Sequence, residues 1–377
     1  MHIRRPMRGV LALFMVCCAA CKREPEPQAV ATRATANTKA NQDSVDVVDP
    51  RYKVDAFAER GALLYGKMCA VCHGQHGEGY RADNAPTLAH QDFLAAASDD
   101  YIGYAIADGR PGTTMSAWSA SRGGPLSDDD IRALVTLIRG WRRVPRVTLD
   151  ERSAEGEVSH GKQLFEQKCV RCHSEAGPHV RIRSHELLAN VTVGFLRHAV
   201  RVGRPPSAMP SFQAELGEQG VEDVVTYLRS LPAWATPDPP PLSLRPPPLP
   251  LGPVPLNPEG PEPQQFEVYP NMTSVDVVYK QLDFGARMAL LDARTPSDYT
   301  AGHIAGAVSV PFYEPEPYLK VLPKDAWLVC YCGCPHAESG VLAERLMKAG
   351  FRHVTVLNEG LGVWVERQYP VSVGAEP

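Results

Sequence analysis

Apolar positions recur at helical spacing from Phe57 onward, and the pattern is laid down twice. Gly61, Leu64, Tyr65, Cys69, Cys72 and His73 return one hundred positions later as Gly161, Leu164, Phe165, Cys169, Cys172 and His173. In both copies the segment before the first cysteine suits a short helix, with a leucine and an aromatic on adjacent rows. Further on, Met115-Ser116-Ala117-Trp118 answers to Met209-Pro210-Ser211-Phe212. Each copy closes with an amphipathic helix. Ile131, Leu134, Val135 and Ile138 make one apolar stripe, and Val221, Val224, Val225 and Leu228 the other. Ser127 is the expected N-cap of the first, with Asp128, Asp129 and Asp130 placed where a helix favours negative charge. The pattern predicts two copies of one all-α fold, over residues 51–146 and 153–234.

The texture then changes. Thirteen of the 27 residues from Pro237 to Pro263 are proline, which forbids helix and central strand and predicts a stiff linker over 235–264. As polyproline II it would reach up to about 80 Å at about 3.1 Å per residue. Residues 265–377 alternate short β runs with helices. Met288–Leu291, Val308–Val310, Trp327–Tyr331 and Val354–Leu357 read as buried strands. Ser339–Lys348 reads as an amphipathic helix stopped by Gly350. Such alternation predicts an α/β domain with a mostly parallel sheet. The fold class is therefore multidomain: two all-α domains followed by one α/β domain.

The amino-terminal region has neither period. Arg4, Arg5 and Arg8 precede an apolar run, Val10 to Ala20, too short to span a bilayer, so residues 1–21 read as an export signal. Its ending, Cys18-Ala19-Ala20-Cys21, resembles a bacterial lipoprotein signal, which implies lipid on Cys21 and a membrane-anchored periplasmic protein; a plain cleaved signal is the alternative. Residues 22–50 are polar and aperiodic, a flexible tether. No other apolar run approaches eighteen residues, so no membrane-spanning helix is expected.

Composition narrows the chemistry. The net charge of −4 over 377 residues offers no basic stripe for nucleic acid. The ten cysteines fall in three groups: Cys17, Cys18 and Cys21; the two spaced pairs; and Cys330, Cys332 and Cys334. Cysteines clustered in this way do not make a disulfide framework. Cys69-Ala70-Val71-Cys72-His73 and Cys169-Val170-Arg171-Cys172-His173 each fit covalent haem attachment, in which two thiols add to the vinyl groups and the adjacent histidine reaches the iron. The trailing histidine, repeated, disfavours zinc and dithiol readings. A sixth ligand is expected from Met115 and Met209, 42 and 36 positions beyond His73 and His173. Met209 lies alone in its copy, whereas Met68 adjoins Cys69 on the proximal side. The expected cofactors are two covalently attached haem c groups, held by Cys69, Cys72, His73 and Met115 and by Cys169, Cys172, His173 and Met209.

On these motifs each copy resembles the class I cytochromes c. The resemblance implies that first and last helices cross at a small residue, Gly61 and Gly161. It also implies a proline carbonyl on the proximal histidine, for which Pro86 and Pro178 are the candidates. Ser116 departs from the family's Met-Pro, which Met209-Pro210 keeps. The other histidines of the two copies are expected at the surface.

Leu291-Asp292-Ala293-Arg294-Thr295-Pro296-Ser297-Asp298-Tyr299, followed by Gly302-His303-Ile304-Ala305-Gly306-Ala307, resembles the rhodanese family, as does Gly360-Leu361-Gly362-Val363-Trp364. The resemblance implies a nucleophilic cysteine where the central strand ends, and Cys332 occupies that position. Its loop, Cys332-Gly333-Cys334-Pro335-His336-Ala337-Glu338-Ser339, lacks the arginine or lysine with which active sulfurtransferases hold an anionic donor. Backbone N–H groups and the helix end would activate Cys332. Cys330 is expected buried, and Cys334 would resolve a persulfide on Cys332 or pair with it.

Three functions remain open at this point: electron transfer through two Met/His haems, with redox partner proteins and sulfur chemistry alongside; sulfur oxidation with Cys332 as sulfane-sulfur acceptor; and a pure relay carrying an inactive docking module. A dihaem peroxidase would require an open iron position, against which both methionines argue.

Overall fold

The computed structural model describes residues 54–79, 82, 85–110, 113–174, 182–204, 207–232, 254, 257–333 and 336–377. The export segment with Cys21, the tether, nearly all of the proline-rich stretch, Pro178 and Cys334 lie outside the described residues.

In the first helical copy α1 (Val54–Leu64) runs into a π-helical turn, Tyr65–Cys69, then α2 (Ala70–His73), α3 (Gln91–Ala96), α4 (Asp99–Ala107) and α5 (Asp128–Gly140). The second copy repeats the plan with α6 (Val158–Lys168), α7 (Val170–His173), α8 (His185–Asn190), α9 (Val193–Val202) and α10 (Gln213–Ser230). The π turn occurs in the first copy alone. Ser127 caps α5 as its sequence predicts, in a reciprocal box with Asp130. No side chain caps α10, which is kinked at Gly217.

First and last helices pack together in both copies, α1 on α5 and α6 on α10. The contact is backbone to backbone. A methyl group on Gly61 would run into the Ala133 carbonyl, and one on Gly161 into the Asp223 carbonyl, with Tyr227 Cβ 2.9 Å away. Val221, Val224, Val225 and Leu228 are all buried with Phe165 and Leu188 in the second core. Each such side chain contributes about 1.5–3 kcal/mol.

The C-terminal region begins with α11 (Val275–Asp283) and β1 (Met288–Asp292), followed by α12 (Pro296–Ala301), β2 (His303–Ile304), β3 (Ala307–Ser309), β4 (Trp327–Tyr331), α13 (Ala337–Lys348), β5 (Val354–Val356), α14 (Gly360–Glu366) and β6 (Val371–Ser372). Four strands form a wholly parallel sheet in the order β3-β1-β4-β5. Its buried strands are continuous apolar runs, as parallel sheets covered on both faces require. The small antiparallel pair β2–β6 was not foreseen, because two residues carry no readable period. It is held from outside itself: His303 stacks on Tyr299 at 3.8 Å and its Nδ1 lies 2.8 Å from the Tyr299 carbonyl.

The side chains of β4 alternate between two cores. Val329 and Tyr331 face one with Trp364. Leu328, Cys330 and Cys332 face the other, which is continuous with the core of the first helical copy. Trp118 and Tyr313, 5.6 Å apart, join the two regions.

Candidate functional site

At the first attachment motif, α2 brings Cys72 and His73 to the end of a turn begun by the π segment. His73 is buried, and its Nδ1 lies 3.0 Å from the Pro86 carbonyl oxygen. Burial lowers the imidazole's affinity for protons and the Pro86 carbonyl opposes that shift, so the ring is held neutral with Nε2 left to ligate. Burial pushes the Cys69 thiol up to about 12 and Cys169 up to about 11. Both thiols stand in apolar surroundings outside any disulfide. This donor set fits covalently bound haem c: two thiols flanking a fixed, neutral imidazole.

The methionines sit in two loops built alike. In the first, the Arg110 N–H donates to the Met115 carbonyl at 2.9 Å, and the Met115 N–H donates to Thr113 Oγ1 at 3.1 Å. In the second, Arg204 donates to the Met209 carbonyl at 2.9 Å, and Met209 donates to Ser207 Oγ at 3.3 Å. Trp118 and Phe212 then tie each loop back to its helix through Ile106 and Val200, both at 3.1 Å. Gly109 and Gly203 open the loops at positive φ, +67° and +72°, where a side chain would be strained and would strike the loop carbonyls. The glycine-arginine pair six positions ahead of each methionine carries this architecture. Its equal spacing in both copies was a legible signal that the sequence reading missed.

The two copies meet at an aromatic cluster. Phe195 lies 5.3 Å from Tyr101 and 6.5 Å from Phe93, and Arg110 and Arg204 cover Tyr101 and Phe195 respectively. The expectation of surface histidines holds for His76 and His160 and fails at this junction. Both ring nitrogens of His90, and Nε2 of His198, are buried without a hydrogen-bond partner. His198 lies near Asp92 of the first copy, a neighbour invisible in either copy's own period.

At the C-terminal site, Cys332 follows β4 and is fully buried, as is Cys330. The strand's alternation puts both on one face, so burial alone does not rank them. Burial raises the Cys330 thiol. Cys332 Sγ instead has the Ser339 hydroxyl at 3.3 Å, and its carbonyl accepts from the Leu361 N–H at 3.0 Å. Helix α13 starts at Ala337, two residues earlier than its sequence suggests, so Glu338 falls in the first turn, where the helix dipole favours a carboxylate. Arg294 forks onto buried Asp292 at 2.6–3.2 Å and onto the Gly302 carbonyl at 2.6 Å. Burial would depress this guanidinium; Asp292 raises it above its ordinary value. Among the described residues no cluster of three or more metal-ligating side chains forms, around Cys332 and His336 or elsewhere.

A cavity of about 420 Å³ opens beside Gly333, between the rhodanese-like region and the loop that holds Met115. Ser116 Oγ donates to Asp298 Oδ2 at 2.5 Å, and Ser297 Oγ donates to the Ala117 carbonyl at 3.2 Å. Burial raises the Asp298 carboxyl, against the hydrogen bond from Ser116 and the charge of Arg294. The family departure at Ser116 thus has a structural role: it ties the first methionine loop to the C-terminal region. Its counterpart Pro210 is exposed.

Comparison with known proteins agrees with this division. The family model described as cytochrome C oxidase, cbb3-type, subunit III matches residues 56–138 and 156–228, and the rhodanese-like domain model matches 274–367. The chain is similar to a cbb3-type cytochrome c oxidase subunit CcoP of Azospirillum sp. (strain B510), 29% identical over 160 residues, 39% of this chain and 50% of that one. It spans half the length of that relative. Over 91 residues it is 33% identical to a probable adenylyltransferase/sulfurtransferase MoeZ of Mycobacterium tuberculosis, covering 24% of this chain and 23% of that one. Among solved structures it is similar to a rhodanese-like domain from Anabaena sp., with 28% identity, 27% and 78% of the two chains covered, and a TM-score of 0.26. Such cytochrome domains imply covalently bound haem c and an electron-transfer protein. No helix among the described residues is long and apolar enough to cross a membrane. The chain carries two cytochrome c domains of the cbb3 type followed by a C-terminal rhodanese-like domain.

Proposed function

We propose that this protein is an exported dihaem cytochrome that passes single electrons between redox partner proteins, with sulfur chemistry at its rhodanese-like domain. The matched hydrogen-bond pattern of the Met115 and Met209 loops carries the reading: two loops of one design, each paired with one Cys-x-x-Cys-His motif. Cys69, Cys72, His73 and Met115 would hold one haem, and Cys169, Cys172, His173 and Met209 the other. Bound haem c supplies a one-electron couple, whose potential methionine ligation raises relative to bis-histidine. The chain's own residues keep His73 neutral and oriented through Pro86, partly bury the thiols, and fix each methionine by its backbone.

Met115→Ala and Met209→Ala should each remove about half of the methionine–iron absorption of the oxidised protein. Full retention in either variant refutes that assignment. Residues 51–146 and 153–234 are the proposed haem-bearing units, joined through 235–264 to 265–377. Export to the periplasm and a lipid on Cys21 follow from the amino-terminal pattern. Cys21→Ser should release the protein from the membrane, and unchanged membrane association would point to a partner complex instead.

The setting of Cys332 favours a second role, as acceptor of sulfane sulfur. It ends the central strand beside a cavity, in contact with Ser339. Arg294 is already engaged by Asp292, while Asp298 and Glu338 line the same cavity. A dianion such as thiosulfate is disfavoured there. Thiosulfate-to-cyanide transfer should be slow or absent, whereas a thiol reagent followed by peptide mass analysis should find Cys332 labelled ahead of Cys330. The reverse ranking would refute Cys332 as nucleophile.

A further inference from the structure

The cavity lined by Gly333, the residue after Cys332, has walls from two domains. Thr113 and Thr114 of the first cytochrome domain face Arg294, Asp298, Gly333 and Glu338 of the rhodanese-like domain. The approach is close: a methyl group on Gly333 would lie 3.6 Å from Thr114 Cγ2. On the cytochrome side, Thr113 also accepts the Met115 N–H, so the residue lining the cavity holds the methionine's backbone directly. Ser116, next in the chain, is bonded to Asp298. The attachment helix α2, which carries Cys72 and His73, packs on α13, the helix that follows the Cys332 loop. The first cytochrome domain therefore meets the rhodanese-like domain both at its methionine loop and at its attachment helix. In the second cytochrome domain Pro210 is exposed, and the arginine of the methionine loop, Arg204, covers Phe195 at the junction with the first domain.

We infer that the Met115 loop and the Cys332 loop enclose one composite site, and that sulfane-sulfur loading of Cys332 is sensed at the first haem centre and not at the second. The inference rests on the reading of Cys332 as sulfur acceptor. The donor class is a small persulfide without net negative charge, because Asp298 and Glu338 line the cavity and the Arg294 guanidinium beside them is bound to Asp292. In the loading step the Cys332 thiolate attacks the outer sulfur of R–S–SH. A new Sγ–S bond forms, the donor's S–S bond breaks, and RS⁻ leaves with the bonding pair. No net electrons enter or leave the protein, so the step needs no external oxidant. Gly333, next to Cys332, lines the cavity opposite Thr113 and Thr114, so the added sulfur is expected to press towards that wall. Displacement there passes through the Thr113–Met115 and Ser116–Asp298 bonds to the methionine. Coupling of two sites is reciprocal, so the state of the first centre must in turn change the equilibrium for loading.

The test uses the full-length holoprotein, with cysteamine persulfide, whose ammonium offsets any charge on the persulfide, as the probe and mass analysis of the Cys332 peptide as the measure of loading. On loading, the methionine–iron absorption should shift in the Met209→Ala protein, where only the first centre contributes it. It should stay unchanged in the Met115→Ala protein. The loading constant should differ about fivefold or more between oxidised and reduced wild-type protein. Ser116→Ala should still load, with the spectral response reduced. Cys332→Ser should show no response. A loaded Cys332 with a silent first centre, or with equal shifts at both centres, overturns the coupling while leaving the acceptor role intact. A Cys332 peptide that never gains sulfur overturns the acceptor reading, and the coupling falls with it.

Discussion

The two cytochrome domains share a plan and differ in what their methionine loops touch. Both loops run from glycine through arginine to methionine with the same backbone bonds. The first continues into Ser116 and is bonded to Asp298; the second continues into an exposed Pro210. The first domain also shares an apolar core with the rhodanese-like sheet, while the second has a core of its own. A duplicated module has thus been made unequal by a few contacts at one loop, with its internal architecture kept.

Changes at the helix crossings should have the largest effect. Gly61→Ala and Gly161→Ala each force a methyl group onto a backbone carbonyl, and overpacking of this kind costs about 1–3 kcal/mol. Gly161 should be the more sensitive, because its methyl would lie closer to Asp223 and Tyr227 than that of Gly61 to Ala133 and Leu137. Thermal melts followed by circular dichroism rank the two, and indifference at Gly161 would break the proposed crossing.

Ser116→Ala comes next. It removes a bond to a half-buried carboxylate and should cost about 1–2 kcal/mol, whereas Pro210→Ala should be close to neutral. Equal costs at the two positions would erase the asymmetry between the loops.

The junction between the domains should be sensitive to acid. Burial lowers the proton affinity of His198, and Arg204 adds to this while Asp92 opposes it. Its folded value lies below the ordinary 6.5, so stability is fully present above pH 6.5 and falls as the pH drops towards the folded value. His198→Gln should flatten that limb, by about 1.4 kcal/mol for each pH unit between the two values. Parallel stability–pH curves for wild type and variant would show that His198 plays no part.

The smallest effect is expected at the caps. Ser127→Ala should cost about 1 kcal/mol through α5, while α10 has no side-chain cap to lose. A variant as stable as wild type would mean that packing alone fixes the start of α5.

Periodic and strictly local features were legible in the sequence. The helical stripes, the Ser127 cap and the four strands of the parallel sheet follow from spacing, because side-chain direction repeats with the backbone, and the resemblance to class I cytochromes c pointed to the crossing glycines. The attachment motifs were legible for a related reason: their chemistry lies within five consecutive residues. Cys332 could be located because it ends a strand that the pattern defines. Tertiary structure decided what depends on contacts between distant segments. The short β2–β6 pair is held by His303 and Tyr299, and His198 of the second cytochrome domain lies near Asp92 of the first. Cys330 and Cys332 prove equally buried, because strand alternation puts both on the face that α13 covers. Ser116 reads in sequence only as a missing proline. Its role depends on Asp298, 182 positions away, and a hydrogen bond across that distance exists only once the chain has brought the two loops together.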